Sequence, residues 1–194
     1  MAPLRTRVCL IGPECTGKTT LAEELSVHFS APWVPEFARE YAQRVARPLT
    51  ADDVEPIAKG QMALENTAGE TPALPGGLLI LDTDLISTVV YARHYYGQCP
   101  AWIETEAQAR KADLYLLTDL DVPWTSDDVR DSEVPREILH RKFATALANY
   151  GTNFVAIQGA WGERRASAVD AIGSVRSRKD ALVEMMQDGC PEKE

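Results

Sequence analysis

The sequence predicts an α/β fold in which a five-stranded parallel sheet lies between two layers of helices. Short apolar or β-branched runs alternate along the chain with segments of helical periodicity, which is typical of βα units on a parallel sheet. The 194 residues are the size of one domain, and neither a repeat nor a linker divides them. The content of 45% hydrophobic and 25% charged residues indicates a globular chain. We therefore expect one domain over residues 1–194, with a frayed tail from about residue 187.

The elements of the first half follow from apolar periodicity and from residues that end helices and strands. A short apolar run ended by Gly12 predicts a buried strand, and leucines with Phe29 at helical spacing predict a helix after it. Thr50 and Asp53 form a capping-box pattern before another helix. The expected elements, in order, are strand 7–11, helix 17–30, strand 33–34, a helix from 37 that ends before Pro48, a helix after Thr50, and strand 78–81.

The second half predicts two more strands and four helices. Gly97 and Gly151 are typical stops after a helix, and Gly173 predicts a break in the last helix. The expected elements, in order, are a helix from about 85 to 97, a helix over 102–111, strand 113–118, a helix over about 135–150, strand 153–158 and a helix from about 162 to 186.

The strongest motif is a loop between the first strand and the first helix. Residues 12–19 match GxxxxGK[ST] in full, within the strand–loop–helix context that this phosphate-binding pattern requires. Main-chain N–H groups of such a loop wrap phosphate oxygens, and the helix N-terminus adds a positive dipole. Lys18 is expected to reach the β- and γ-phosphates, and the Thr19 hydroxyl to hold Mg²⁺. The motif makes the expected fold the three-layer P-loop NTPase/kinase fold. The residues expected to bind ATP here are Gly12, Pro13, Glu14, Cys15, Thr16, Gly17, Lys18, Thr19 and Thr20.

Acidic residues follow two of the predicted strands, at the sheet edge where α/β proteins bind ligands. Asp82 comes directly after strand 78–81 and is expected to hold Mg²⁺ beside the phosphate loop. Asp84 either faces the crevice as a catalytic group or only caps the next helix. Glu36 follows the second strand, with Arg39 one helical turn later. These two form either an exposed salt bridge or a crevice pair in which Glu36 accepts a hydrogen bond or proton from a substrate hydroxyl.

A polar segment with several basic residues lies between the fourth strand and the helix after it. Lids of phosphoryl-transfer enzymes occupy this position, so we expect a small lid segment over about residues 119–142. Arg130 is expected to neutralise charge on the transferred phosphate. Arg136 and Arg141 either assist it or form a solvated helix face. Trp161, after the fifth strand, either borders the nucleotide base or packs in the core.

Charge and cysteine content exclude several classes of protein. Lysine and arginine total 20 against 29 acidic residues, and the net charge of −9 disfavours nucleic-acid binding, which depends on phosphate neutralisation. No run approaches the roughly 18 apolar residues of a membrane span. The 4 cysteines form no CxxC pair or Cys/His cluster, so we expect neither a disulfide framework nor a structural metal, and a cytoplasmic location.

Several sequence blocks together resemble the ribosylnicotinamide kinase domain of the bacterial NadR-type proteins. They occur in order from about residue 7 to the last helix. Blocks 33–41 and 81–84 are more specific than the phosphate loop, which many families share. The blocks are residues 12–19, 33–41, 61–64 and 81–84 and, in the polar segment, Pro123, Trp124, Asp127 and Arg130.

The resemblance implies a Mg²⁺-dependent kinase that transfers the γ-phosphate of ATP to the 5′-hydroxyl of nicotinamide riboside, giving nicotinamide mononucleotide. The catalytic residues would be Lys18, Glu36, Asp84 and Arg130, with either Asp84 or Glu36 accepting the hydroxyl proton. Substrate-binding residues would be Glu36, Phe37, Arg39, Tyr41, Gln61, Asp82, Asp84, Trp124 and Asp127. Candidates for stacking on the pyridinium ring are Phe37, Tyr41, Tyr91 and Trp124, and Trp161 is assigned to ATP.

Two features depart from the family pattern. Longer members carry a DNA-binding module and an adenylyltransferase domain before the kinase, so we expect neither of those activities from this chain. The family lid often reads Asp-Asp-Gly-Leu-Arg, whereas Asp127 is followed here by Asp128, Val129 and Arg130 and the glycine is lost. Two alternatives stay open: a kinase of another nucleoside or small alcohol, and a regulatory ATPase that senses nucleotides.

Overall fold

The sheet has five parallel strands, as the sequence predicts. A computed structural model describes residues 6–70, 77–122 and 136–188. The strands in these ranges are β1 (Thr6–Ile11), β2 (Trp33–Val34), β3 (Leu78–Asp82), β4 (Leu114–Thr118) and β5 (Phe154–Ile157). They lie in the order β2-β3-β1-β4-β5, and every neighbouring pair is parallel. The carboxyl ends of all five strands therefore meet at one edge of the sheet.

The helices connect these strands and cover both faces of the sheet. Within the described ranges they are α1 (Lys18–Phe29), α2 (Phe37–Val45), α3 (Val54–Glu70), α4 (Leu85–Tyr96), α5 (Ala101–Ala109), α6 (Arg136–Asn149) and α7 (Trp161–Asp188). A 3₁₀ turn over Ala51–Asp53 leads into α3, and the predicted capping box between Thr50 and Asp53 is formed. Gly97 ends α4 in a left-handed conformation, as its position predicts.

Two hydrophobic cores, one on each face of the sheet, make the structure three-layered. Alternate residues of β1 divide between them: Val8 and Leu10 pack with α1 and α7, whereas Cys9 and Ile11 pack with α3 to α6. All four are fully buried, as expected of a central strand in a parallel sheet. The predicted α/β/α class is confirmed.

One expectation about the second half of the chain needs correction, and the predicted tail and lid lie largely outside the described residues. The break at Gly173 is wrong, because α7 is continuous from Trp161 to Asp188. A single glycine costs a helix only about 1 kcal/mol, and the buried neighbours Ile172 and Val175 hold this turn against the sheet. Residues 187–188 still belong to α7, and residues 189–194 lie outside the described part. Within the expected lid, residues 136–142 form the first turns of α6, and residues 123–135 lie outside the described part.

None of the helices in the described ranges combines the length and the apolar character needed to cross a membrane. This includes α7, which has 28 residues.

Candidate functional site

The phosphate loop, residues 12–19, leaves β1 and leads directly into α1. Gly12 and Gly17 have φ angles of 143° and 82°, and Cys15 has a φ angle of 54°. A Cβ atom added at Gly12 would lie 2.6 Å from the Thr118 hydroxyl oxygen at the end of β4. A Cβ atom added at Gly17 would lie 2.9 Å from the Trp161 ring. Both glycines are therefore required by backbone conformation and by the close approach of another segment.

Hydrogen bonds inside the phosphate loop hold it in shape. The Thr16 hydroxyl donates to the Pro13 carbonyl at 2.8 Å and lies 2.7 Å from the Thr118 hydroxyl. The Lys18 ammonium donates to the same Pro13 carbonyl at 2.6 Å. Of the other residues assigned to ATP, Glu14 is half-buried and Thr20 is exposed. The Lys18 side chain is thus held against the loop by a main-chain carbonyl of the loop itself.

Asp82, the last residue of β3, lies directly beside the phosphate loop. The Thr19 hydroxyl donates to Asp82 Oδ2 at 2.5 Å. Burial raises the pKa of Asp82 above its ordinary value, while the hydrogen bond from Thr19 and the Lys18 charge lower it. Two adjacent oxygen donors fit Mg²⁺, which usually takes one or two protein oxygens together with substrate phosphates. No cluster of three or more His, Cys, Asp or Glu side chains suited to a metal occurs in the described residues.

Asp84 is buried like Asp82, and both of its carboxylate oxygens have partners within the protein. Oδ1 accepts the Ile86 N–H at 2.9 Å, which caps α4, and Oδ2 accepts the Tyr115 hydroxyl at 2.6 Å. Burial raises the pKa of Asp84 to about 6. The capping role that the sequence left open is therefore present, and a catalytic role for Asp84 stays a prediction.

The α2–α3 corner, formed by Glu36, Phe37, Gly60 and Gln61, borders the same sheet edge. The Phe37 N–H donates to Gln61 Oε1 at 3.0 Å. A Cβ atom added at Gly60 would lie 2.0 Å from the Phe37 ring, so the ring lies directly on this turn of α3. Gln61 is 2% exposed, and its Nε2 group has no hydrogen-bond partner in the structure. Glu36 acts electrostatically to raise the pKa of Asp82, and Arg39 acts to lower it, so both lie near the phosphate loop.

The other stacking candidates differ in their surroundings. Tyr41 donates to Asp53 Oδ1 at 2.9 Å, and the Arg44 guanidinium lies 5.2 Å from the centre of its ring. Tyr91 packs edge-on against Phe143, with ring centres 5.4 Å apart. Tyr41 therefore lies beside Phe37 on α2, whereas Tyr91 belongs to the contact between α4 and α6.

Trp161 lies over the phosphate loop rather than in the core. Its indole N–H donates to Glu24 Oε1 at 2.9 Å, and the side of its ring covers Gly17. Because Trp161 is 36% exposed, the core-packing alternative is wrong. Contact with a nucleotide base stays a prediction.

Two arginines contact the phosphate loop, and sequence reasoning assigned neither of them to it. Arg136 donates to the Cys15 carbonyl at 3.1 Å, so the solvated-face alternative is wrong for this residue, although Arg141 is exposed. Arg164, in the first turn of α7, is 1% exposed and donates to the Thr16 carbonyl at 3.0 Å. The only signal for Arg164 was its place shortly after the fifth strand.

Three assigned residues, Trp124, Asp127 and Arg130, lie outside the described part of the chain. Their roles stay predictions.

The fold and this loop define a P-loop nucleotide-binding protein: a parallel sheet carries GxxxxGKT between its central strand and the next helix, with an acid at the end of the adjacent strand. The profile of the AAA_28 family, described as an AAA domain, matches residues 7–164. The chain belongs to this family.

Individual relatives confirm the resemblance found in the sequence blocks. The trifunctional NAD biosynthesis/regulator protein NadR of Escherichia coli (strain K12) is 24% identical over 159 residues, which cover 78% of this chain and 38% of that protein. A crystal structure of NadR protein in complex with NR shares 26% identity with a TM-score of 0.76. Another, in complex with NAD and AMP-PNP, shares 28% identity with a TM-score of 0.78. Each covers 90% of this chain, which in turn spans 50% of the crystallised chains.

Proposed function

We propose that this protein is an ATP- and Mg²⁺-dependent kinase that phosphorylates the 5′-hydroxyl of nicotinamide riboside. The observation that carries the proposal is the meeting of three groups at one sheet edge: the phosphate loop, the Thr19–Asp82 pair, and the α2–α3 corner with Glu36. The NadR structures, one with NR and another with NAD and AMP-PNP, support nicotinamide riboside and ATP as the ligands. The chain spans about half of those proteins, so their other activities are not carried over.

In the proposed reaction the loop and Lys18 bind the β- and γ-phosphates of ATP. Glu36 accepts the proton of the 5′-hydroxyl as its oxygen attacks the γ-phosphorus, and the bond from that phosphorus to the β–γ bridging oxygen breaks to release ADP. We favour Glu36 over Asp84 because both oxygens of Asp84 are already bonded within the protein. Arg130 stays a candidate for charge neutralisation.

Thr19 and Asp82 would hold the metal. Bound Mg²⁺ would neutralise charge on the phosphate oxygens during transfer. The remaining contribution of the residues that bind ATP is to position it, because phosphoryl transfer needs little covalent help from the protein.

The net charge of the chain supports a small-molecule substrate. The net charge of −9 argues against nucleic acid as the acceptor. We also keep the single kinase domain as part of the proposal, supported by the membership of all five described strands in one sheet. The cytoplasmic location is kept as well, on the ground that the 4 cysteines of the sequence form no pattern of a disulfide framework.

The test is ADP release from ATP and Mg²⁺ with a panel of nucleosides and small alcohols. We expect turnover with nicotinamide riboside and a product with the mass of nicotinamide mononucleotide. Lys18→Ala should lower kcat/KM by about a hundredfold or more, because the positive charge that contacts the transferred phosphate is lost. Lys59→Ala, which removes an exposed lysine on α3, is the matched control.

Two outcomes would contradict the proposal in different ways. Turnover confined to another acceptor would reject the substrate and keep the kinase. ATP binding without acceptor-dependent turnover would favour the nucleotide-sensing ATPase instead.

A further inference from the structure

Arg164 is a buried arginine, and each of its three guanidinium nitrogens donates to a main-chain carbonyl or to a carboxylate. It donates to the Gly159 carbonyl at 3.2 Å, to the Asp119 carbonyl at 3.0 Å and to the Thr16 carbonyl at 3.0 Å. It also forms an ion pair with Asp121. A buried cation whose counter-ion is partly exposed is costly unless it is hydrogen-bonded, and here four acceptors contact all three guanidinium nitrogens.

The acceptors come from three separate segments of the chain. Thr16 belongs to the phosphate loop after β1, Asp119 and Asp121 follow β4, and Gly159 follows β5. The same segments are further joined because Asp121 accepts the Gly159 N–H, and the Asp119 N–H donates to the Ile157 carbonyl at 2.9 Å. Arg164 therefore fixes the phosphate loop relative to two neighbouring strand ends.

The contact with Thr16 determines the direction of the next N–H group. No cis peptide bond occurs in the described residues, so the peptide between Thr16 and Gly17 is trans. In a trans peptide the carbonyl and the N–H point in opposite directions. Because the Thr16 carbonyl points to Arg164, the Gly17 N–H points away from it. Phosphate loops bind phosphate oxygens through such main-chain N–H groups.

We propose that Arg164 is a positioning residue that orients the Thr16–Gly17 peptide for phosphate binding and thereby sets the affinity of the loop for polyphosphate. Arginine is suited to this role, since its rigid planar fork reaches several fixed acceptors at once, whereas a lysine ammonium is a point charge on a flexible chain. The proposal rests on the ATP-binding half of the proposed function and not on the identity of the acceptor.

The experiment measures the Kd of inorganic tripolyphosphate with Mg²⁺ by isothermal titration calorimetry. We expect Arg164→Lys to weaken binding by about tenfold to a hundredfold, the scale of one or two charge-assisted hydrogen bonds. ATP should lose affinity by a similar factor, while the Kd of nicotinamide riboside changes by less than about twofold. Circular dichroism and thermal unfolding identify the temperature at which each variant is fully folded, and titrations are made below it.

Two further variants make the result specific. Arg165→Lys changes the neighbouring arginine, which is 48% exposed and pairs with Glu24, and should leave every Kd unchanged. Asp121→Asn removes the counter-ion but keeps the three carbonyl contacts, so tripolyphosphate affinity should fall by less than about threefold. A smaller loss than with Arg164→Lys supports orientation of the peptide as the cause.

Folded Arg164→Lys protein that binds tripolyphosphate as tightly as the wild type would overturn the proposal. An equal loss in Asp121→Asn would also overturn it, since the ion pair and not the carbonyl contact would then set the affinity. Failure of the kinase proposal looks different: the wild type would bind tripolyphosphate normally and phosphorylate no nicotinamide riboside.

Discussion

The phosphate loop and the α2–α3 corner lie at the same sheet edge but are built differently. In the loop the side chains of Thr16, Lys18 and Thr19 all have partners within the protein. In the corner, Gln61 uses Oε1 for the Phe37 N–H and leaves the buried Nε2 group without a hydrogen-bond partner in the structure. An unpaired buried donor costs about 1–3 kcal/mol. The side chains of the loop are thus held by the protein itself, whereas the corner keeps a buried donor that the described residues do not satisfy.

The largest expected effect concerns the metal-holding residue at the loop. Asp82→Asn should lower Mg²⁺-dependent turnover by about a thousandfold, because metal stabilisation of the transition state amounts to several kcal/mol. A steady-state assay across Mg²⁺ concentrations checks this, with Asp170→Asn on the exposed side of α7 as the control. Normal turnover in Asp82→Asn would mean that Mg²⁺-dependent catalysis does not require this carboxylate.

The next effect concerns the α2–α3 corner. Glu36→Gln should lower kcat by about a hundredfold, the low end of general-base effects, and leave the Kd of ATP unchanged. Glu40→Gln, an exposed glutamate on the same helix, is the matched control. A pure increase in the KM of the acceptor would instead show that Glu36 only binds it.

Asp84 belongs to neither the phosphate loop nor the α2–α3 corner. The pH dependence of the free energy of unfolding tests its assignment as a buried structural residue. The folded pKa of about 6 lies above the ordinary value of 3.8, because burial disfavours the charged carboxylate. Its contribution to stability is therefore greatest below about pH 4, decreases as pH rises to about 6, and is constant above that, a change of about 3 kcal/mol. Asp84→Asn should remove this change when free energies of unfolding are measured in urea at pH 4 and pH 7.

Asp53 gives a control of opposite sign for the same measurement. The hydrogen bond from Arg47 holds the pKa of Asp53 well below its usual range, so its stabilising effect is lost as pH falls. Asp53→Asn should therefore weaken the protein by nearly the same amount at pH 7 and pH 4, and by less when the measurement is extended to about pH 2, because the effect is lost only below the ordinary pKa of 3.8. If Asp84→Asn instead abolished turnover without changing stability, Asp84 would be catalytic after all.

The smallest effect concerns the packing that defines the α2–α3 corner. Gly60→Ala should lower the free energy of unfolding by about 1–2 kcal/mol, since the new methyl group overlaps the Phe37 ring. Gly69→Ala in the same helix has nothing within 4 Å of the new atom and should raise stability by up to about 1 kcal/mol. Equal responses at the two glycines would show that Phe37 is not held on Gly60.

The features that sequence reasoning predicted correctly are those encoded by neighbouring residues. The succession of strands and helices along the chain, the capping box at Thr50 and Asp53, and the stop at Gly97 all depend on short-range patterns. Residues 12–19 were assigned because the loop motif and its flanking elements are contiguous. The predicted break at Gly173 failed because packing against the sheet overrode local propensity.

Contacts between distant segments could not be predicted in this way. Arg164 and Thr16 are 148 residues apart, and nothing in the sequence near either residue indicates the other. The same holds for Tyr115 and Asp84, whose hydrogen bond occupies the Asp84 oxygen that does not cap α4. Such partners depend on which strands are neighbours, and periodicity does not specify strand order.

The central place of β1 in the sheet has a consequence for how the protein is made. Its partners are far along the chain: Val8 pairs with Leu114 in β4, and Thr6 pairs with Leu78 in β3. A nascent chain leaving the ribosome therefore exposes β1 and its loop long before both partners exist, and Arg164 is translated later still. We expect nucleotide to bind the emerging chain only after most of it has been synthesised, so ligand cannot assist the earliest steps of folding.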